Sequence, residues 1–193
     1  MQDEKTTLFL NLLGAFKRLG LLDDFIVVGG WCQVLYRVHF NDPLPDCPVT
    51  APDADFLIIN PGKTRPELDV AAALEAMGFE TQHAIGQTKY IHGEFEVGFL
   101  AEKKGKAEEE AWQVRSLKLG AMTMRYLDFL QEHVIEIPFE GFKVKVPEPA
   151  AFVLQKFLIN PRRSKSVQTK ELEAIAGLCA YMVKQPKQVA RMR

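Results

Sequence analysis

Four apolar residues in a row, Phe25, Ile26, Val27 and Val28, stop at Gly29-Gly30, and helical spacing resumes from Trp31 to Val38. A β-branched run closed by a glycine pair and followed by a 3.6-residue apolar period reads as strand, tight turn, helix. A buried strand needs sheet partners and the helix must cover that sheet, so a mixed α+β domain is expected. The chain has 193 residues, 47% of them hydrophobic, which is enough for one sizeable core and too few for two full domains. Its 24 Lys+Arg against 25 Asp+Glu give a formal charge of -1, which excludes a global basic field of the kind that drives non-specific nucleic-acid binding. Any polyanion site has to be local.

The remaining pattern supplies the neighbours. Thr6 to Leu22 carries a stripe at Leu8, Leu12, Phe16 and Leu19 and predicts an amphipathic helix ending near Gly20. Asn41 to Pro52 holds Pro43, Pro45, Pro48 and Pro52 and reads as an irregular excursion. Asp53 to Ile59 alternates and then turns apolar, as in a strand that starts at a solvent cleft and ends inside. A helix is expected over Arg65 to Met77, capped by Gly78, then a hairpin of Lys89 to Ile91 and Glu94 to Leu100 around His92-Gly93. Glu102 to Glu110 is a charge-dense loop. Leu127 to Glu132 reads as a short helix, and Val134 to Ile137 and Phe142 to Val146 as a second strand pair around Glu140-Gly141. After Pro147-Glu148-Pro149 the texture is helical: Ala150 to Ile159, a basic loop, and Val167 to Lys184 form a helical hairpin before a basic tail.

Two constellations could carry chemistry. Asp53 and Asp55 sit two apart on one strand, so both side chains share a face with Cα atoms about 6.5 Å apart. Left unneutralised, such a pair costs on the order of 3 kcal/mol, which a divalent cation would remove. Oxygen-only ligands suit Mg²⁺; the bland alternative is that the aspartates cap and solvate the loop end. Gly29-Gly30 offers a backbone that phosphate can approach, with helix N-terminal amides behind it, or it records only a tight turn.

Taken together, Val28-Gly29-Gly30-Trp31 and, after a loop, Thr50-Ala51-Pro52-Asp53-Ala54-Asp55-Phe56-Leu57 make the sequence resemble the nucleotidyltransferase superfamily. The resemblance implies a nucleotidyltransferase-like mixed β-sheet flanked by helices. It also implies that Gly29 and Gly30 hold a nucleoside triphosphate, that Asp53 and Asp55 bind Mg²⁺, and that a nucleotidyl group passes to a hydroxyl of an RNA, a protein or a small molecule. Lys143 through Leu158, with Arg162-Arg163 and Lys170-Glu171, is similar to the helical tail of a bacterial subgroup related to abortive-infection toxins. The Pro147-Glu148-Pro149 boundary divides the chain into a nucleotidyltransferase-like domain over 1–146 and a helical extension over 147–193. The resemblance implies that Lys156 points back toward the cleft as a phosphate contact, and Arg163, with Arg162, Lys165 and Lys170, forms a local basic patch that could dock nucleotide phosphate or RNA. The bland alternatives are a surface lysine and a solvated basic loop.

The family's third carboxylate, the base for the incoming hydroxyl, falls at Gly98 in Val97-Gly98-Phe99-Leu100, and glycine accepts no proton. Glu96, two residues earlier on the same strand face, is the substitute candidate. A catalytically silent member that binds nucleotide, RNA or a protein partner is therefore the rival expectation. The four histidines make no HExxH or triad pattern, and Cys32, Cys47 and Cys179 make no metal or disulfide spacing, so a reducing, cytoplasmic setting is expected. Trp31 and Trp112 could stack on a base but read first as core aromatics. No signal-peptide pattern and no membrane-length apolar run is present.

Overall fold

The computed structural model describes residues 4–40, 53–62, 67–84, 87–102, 111–162 and 164–184. In chain order these form α1 (Glu4–Arg18), β1 (Phe25–Val28), α2 (Trp31–Phe40), β2 (Asp53–Ile58), α3 (Val70–Glu75), β3 (Glu80–Ala84), β4 (Gln87–His92) and β5 (Phe95–Glu102). Then come β6 (Ala111–Val114), β7 (Leu119–Met124), α4 (Leu127–Glu132), β8 (Val134–Phe139), β9 (Phe142–Pro147), α5 (Pro149–Ile159) and α6 (Lys165–Val183). The expected α+β fold is thus found.

One mixed sheet runs β1-β2-β5-β4-β3, with β7 also on β5 and β6 on β7. The β2–β5 and β5–β7 pairs are parallel and the others antiparallel. Period-2 alternation splits its inner strands cleanly. Phe25 and Val27, Ala54, Phe56 and Ile58, and Phe95, Val97 and Phe99 enter the main core against α1. There Phe56 meets Phe16 edge-on at 5.0 Å between ring centroids and Phe99 at 5.9 Å. The opposite face carries Ile26, Val28, Leu57 and Leu100, which pack under Leu127 and Leu130 of α4 and Ala151 of α5. That cover reaches only part of the face, and the β2 residues beyond it are Asp53 and Asp55. A cleft results at the start of β2, as the alternate-then-apolar pattern predicted.

The β8–β9 hairpin is a separate two-stranded sheet whose turn residues, Glu140 and Gly141, both have positive φ, the geometry of a two-residue hairpin turn. Pro149 lies in the first turn of α5, where its missing N–H costs nothing. Buried Tyr36 of α2 donates its hydroxyl to the Pro147 carbonyl at 2.7 Å, tying the helix after the glycine turn to the residue that leads into α5.

Several expectations are corrected. The helix expected over Arg65 to Met77 is described only from Val70 to Glu75: the Asp69 carboxylate accepts from Ala72 N at 2.9 Å and caps it, so Leu68 precedes the helix, while 63–66 lie outside the described residues. The β4–β5 turn falls one residue later, at Gly93-Glu94, since His92 pairs with Phe95. The strands β3, β6 and β7 were not expected. Among the described residues no helix is long and apolar enough to cross a membrane. Tyr36→Phe is expected to lower the unfolding free energy by about 1–2 kcal/mol, read by urea denaturation, because the buried Pro147 carbonyl loses its donor.

Candidate functional site

The strand register brings the sequence candidates together. Across β1 and β2, Val28 stands opposite Asp55. Across β2 and β5, Asp53 stands opposite Glu96, and Asp55 opposite Gly98. Paired residues share a face, so Asp53, Asp55 and Glu96 all point into a cavity of about 240 Å³ that is also lined by Gly29, Gly98, Lys89 and Lys156.

Asp55 is held between two glycines. Gly29 has φ +71°, a conformation that side chains resist, and a methyl group there would lie 2.6 Å from Asp55 Oδ2. A methyl at Gly98 would lie 2.6 Å from Asp55 Oδ1. The apparent loss at Gly98 therefore has a physical reason: the space above it is filled by the Asp55 carboxylate. The third acidic group on this face is Glu96, and its Oε1 lies 2.6 Å from Lys89 Nζ.

Burial is the main cause that pushes Asp55 up to about 6; Lys156 opposes it, Asp53 and Glu96 reinforce it, and Lys89 opposes it. Asp53 is also raised, by burial first and then by Glu96, with Lys89 and Lys5 acting in the other direction. Taking a carboxylate from water is a penalty that a bound cation would relieve. Among the described residues no three His, Cys, Asp or Glu side chains gather into one metal-holding group. The donor set that fits is two carboxylates on one strand, to be completed by water and phosphate oxygens, which suits a hard ion such as Mg²⁺.

Behind the glycine turn, Gly29, Gly30, Gln33, Phe152, Lys156, Glu171 and Ile175 line a second cavity of about 180 Å³. Lys156 borders both spaces and donates to Glu171 Oε1 at 2.8 Å while lying over the Phe152 ring. Gly30 belongs to this rear cavity and opens α2, where Gln33 N donates to Gly30 O at 3.1 Å. Trp31 stacks on Phe9 at 3.9 Å in the core and is no base platform. Arg163, Thr50, Pro52, Cys47 and residues 103–110 lie outside the described residues.

Sequence reasoning left two cleft groups unassigned. Lys89 could have been found from the alternation of β4: Tyr90 is buried in the core, so Lys89 faces the cleft. Glu171, on the rear cavity, stood in the sequence only as part of the tail likeness and without a role, because its meaning comes from Lys156 on another helix.

The titration of Asp55 makes a testable prediction about the metal-free protein. Its carboxyl titrates near 3.8 when unfolded and near 6 when folded. The folded state holds that proton more tightly, so the contribution to stability is complete below pH 3.8 and lost as pH climbs through 6. Asp55→Asn should therefore raise the melting temperature at pH 7, by the equivalent of about 3 kcal/mol at most, and change it little at pH 4. Thermal denaturation across that range, without metal, checks it.

A family model described as nucleotidyltransferase matches residues 8–189. Among solved structures, the antibiotic-resistance factor ANT(2'')-Ia aligns with a TM-score of 0.57 at 16% identity, covering 100% of this chain and 91% of that one. An antigenic nucleotidyltransferase-like protein from Paracoccidioides brasiliensis gives 0.44 at 16% identity, covering 90% and 74%. No curated protein matches. The likeness to ANT(2'')-Ia shows the fold, and with the family match spanning most of its length, this chain belongs to the nucleotidyltransferase family.

Proposed function

We propose that the protein is an active nucleotidyltransferase that moves a nucleotidyl group from a nucleoside triphosphate to an acceptor hydroxyl. The observation that carries this reading is the register that sets Glu96 beside Asp53 and lays Asp55 against the glycine turn. Asp53 and Asp55 would hold Mg²⁺, which would supply charge neutralisation of the phosphates and polarisation of the reacting phosphoryl group. The triphosphate lies along Gly29 and Gly30 with the α2 amides behind it, and Lys156 and Arg163 supply charge to its oxygens. Glu96 accepts the proton of the acceptor hydroxyl as that oxygen bonds to the α-phosphorus. The bond from the α-phosphorus to the bridging oxygen breaks, and pyrophosphate leaves. The work of the chain itself is positioning and charge placement.

The silent alternative was motivated by Gly98. With Glu96 on the same face and Asp55 filling the space over Gly98, that motive weakens. The tail similarity from Lys143 to Leu158 supports placing the protein with the abortive-infection-related subgroup. Free Cys32 and Cys179 suit a cytoplasmic location.

Labelled nucleoside triphosphates incubated with Mg²⁺ and a panel of total RNA, protein extract and small polyhydroxyl compounds should give label transfer with pyrophosphate release. Asp55→Asn should abolish it. Glu96→Gln should lower kcat by about 10²–10⁴-fold with nucleotide affinity unchanged. Tight nucleotide binding without pyrophosphate release on any acceptor class would favour the silent reading. Gly98→Ala, whose added methyl meets Asp55 Oδ1, should cut transfer at least tenfold while the circular-dichroism spectrum stays native.

A further inference from the structure

The cleft contains a cation that the chain supplies itself. Across β4 and β5, Lys89 stands opposite Gly98, which in turn stands opposite Asp55. From that position Lys89 reaches diagonally to Glu96, two residues before Gly98 on β5, and its ammonium lies 2.6 Å from Glu96 Oε1. The pair is about two-thirds buried, at 33% and 28% side-chain exposure, so it is less screened than a surface ion pair. Lys89 also acts electrostatically on both Asp53 and Asp55.

Two-metal phosphoryl-transfer sites need carboxylates that bridge or flank two ions about 3.5–4 Å apart. Here Asp53 and Asp55 can serve one ion, and a second would call on Glu96. One of its oxygens, Oε1, is already engaged by an ammonium, and no group of three potential metal-holding side chains forms among the described residues. A second ion would have to displace or sit against Lys89, with like-charge repulsion in a partly dry cleft.

We infer that Lys89 takes the place of a second metal ion: Asp53 and Asp55 bind one divalent cation, and Lys89 positions Glu96 for the acceptor's proton and bars another ion from it. This rests on the nucleotidyltransfer reading of the site and assigns Lys89 as a positioning residue within it. An incidental cross-strand ion pair would leave the metal count indifferent to residue 89.

The test counts metal directly. The full chain is saturated with a nucleoside triphosphate whose α–β bridge is a methylene, so no transfer occurs, and bound Mn²⁺ is measured by electron paramagnetic resonance. One ion per chain is expected for the native protein and for Lys89→Arg, which keeps the charge. Two are expected for Lys89→Met, with Lys89→Gln as a polar replacement giving the same count. Two ions on the native protein, or one on both neutral variants, would overturn the role of Lys89 and leave nucleotidyl transfer standing. No bound Mn²⁺ on the native protein would overturn both.

Discussion

One carboxylate wedged between two glycines organises this protein. Asp55 arrives on β2 with Gly29 on one side and Gly98 on the other, and neither neighbour has room for a β-carbon. The contact joins a turn, a strand and a second strand that are far apart in sequence. It fixes where the acidic group sits relative to the backbone that phosphate would approach, and its cost is the desolvation that lifts Asp55 to about 6. A cation bound there would relieve that penalty, a common compromise between stability and function.

The surrounding charges answer that penalty from two sides. Lys89 comes from β4 and Lys156 from α5, and both draw the Asp55 titration down against burial. Each lysine is itself held by a carboxylate, Glu96 in one case and Glu171 in the other. The cleft is thus a partly compensated network rather than a bare acidic pocket, and its lysines are ordered before any ligand enters. Ordered side chains spend less entropy on binding.

Much of this was legible in the sequence, and the unread part has a pattern. The strand–glycine–helix transition, the Asp53/Asp55 face and the C-terminal hairpin follow from local periodicity, and the structure contains all three. What periodicity cannot give is register. That Glu96 faces Asp53, and that Gly98 is small because Asp55 lies over it, are facts about pairing between strands whose order is not written in any local window. The missed strands failed for a related reason. β3, Glu80–Ala84, is a polar strand that among the described residues pairs only with β4. In β7, Gly120 dilutes the strand signal, yet it is required because a methyl there would come 2.7 Å from Thr88 Oγ1. Lys89 and Glu171 were unassigned because a lone charged residue gains meaning only from its partner on another element.

The bond from Tyr36 to the Pro147 carbonyl has a mechanical consequence. It clamps the helix that begins at the glycine turn to the point where α5 departs, and α5 carries Lys156. The turn and the lysine are therefore linked through one strut, a buried phenol on a backbone carbonyl, while the Glu171 ion pair holds the head of the lysine. A ligand that lay along both would meet a span set by that strut rather than by its own contacts.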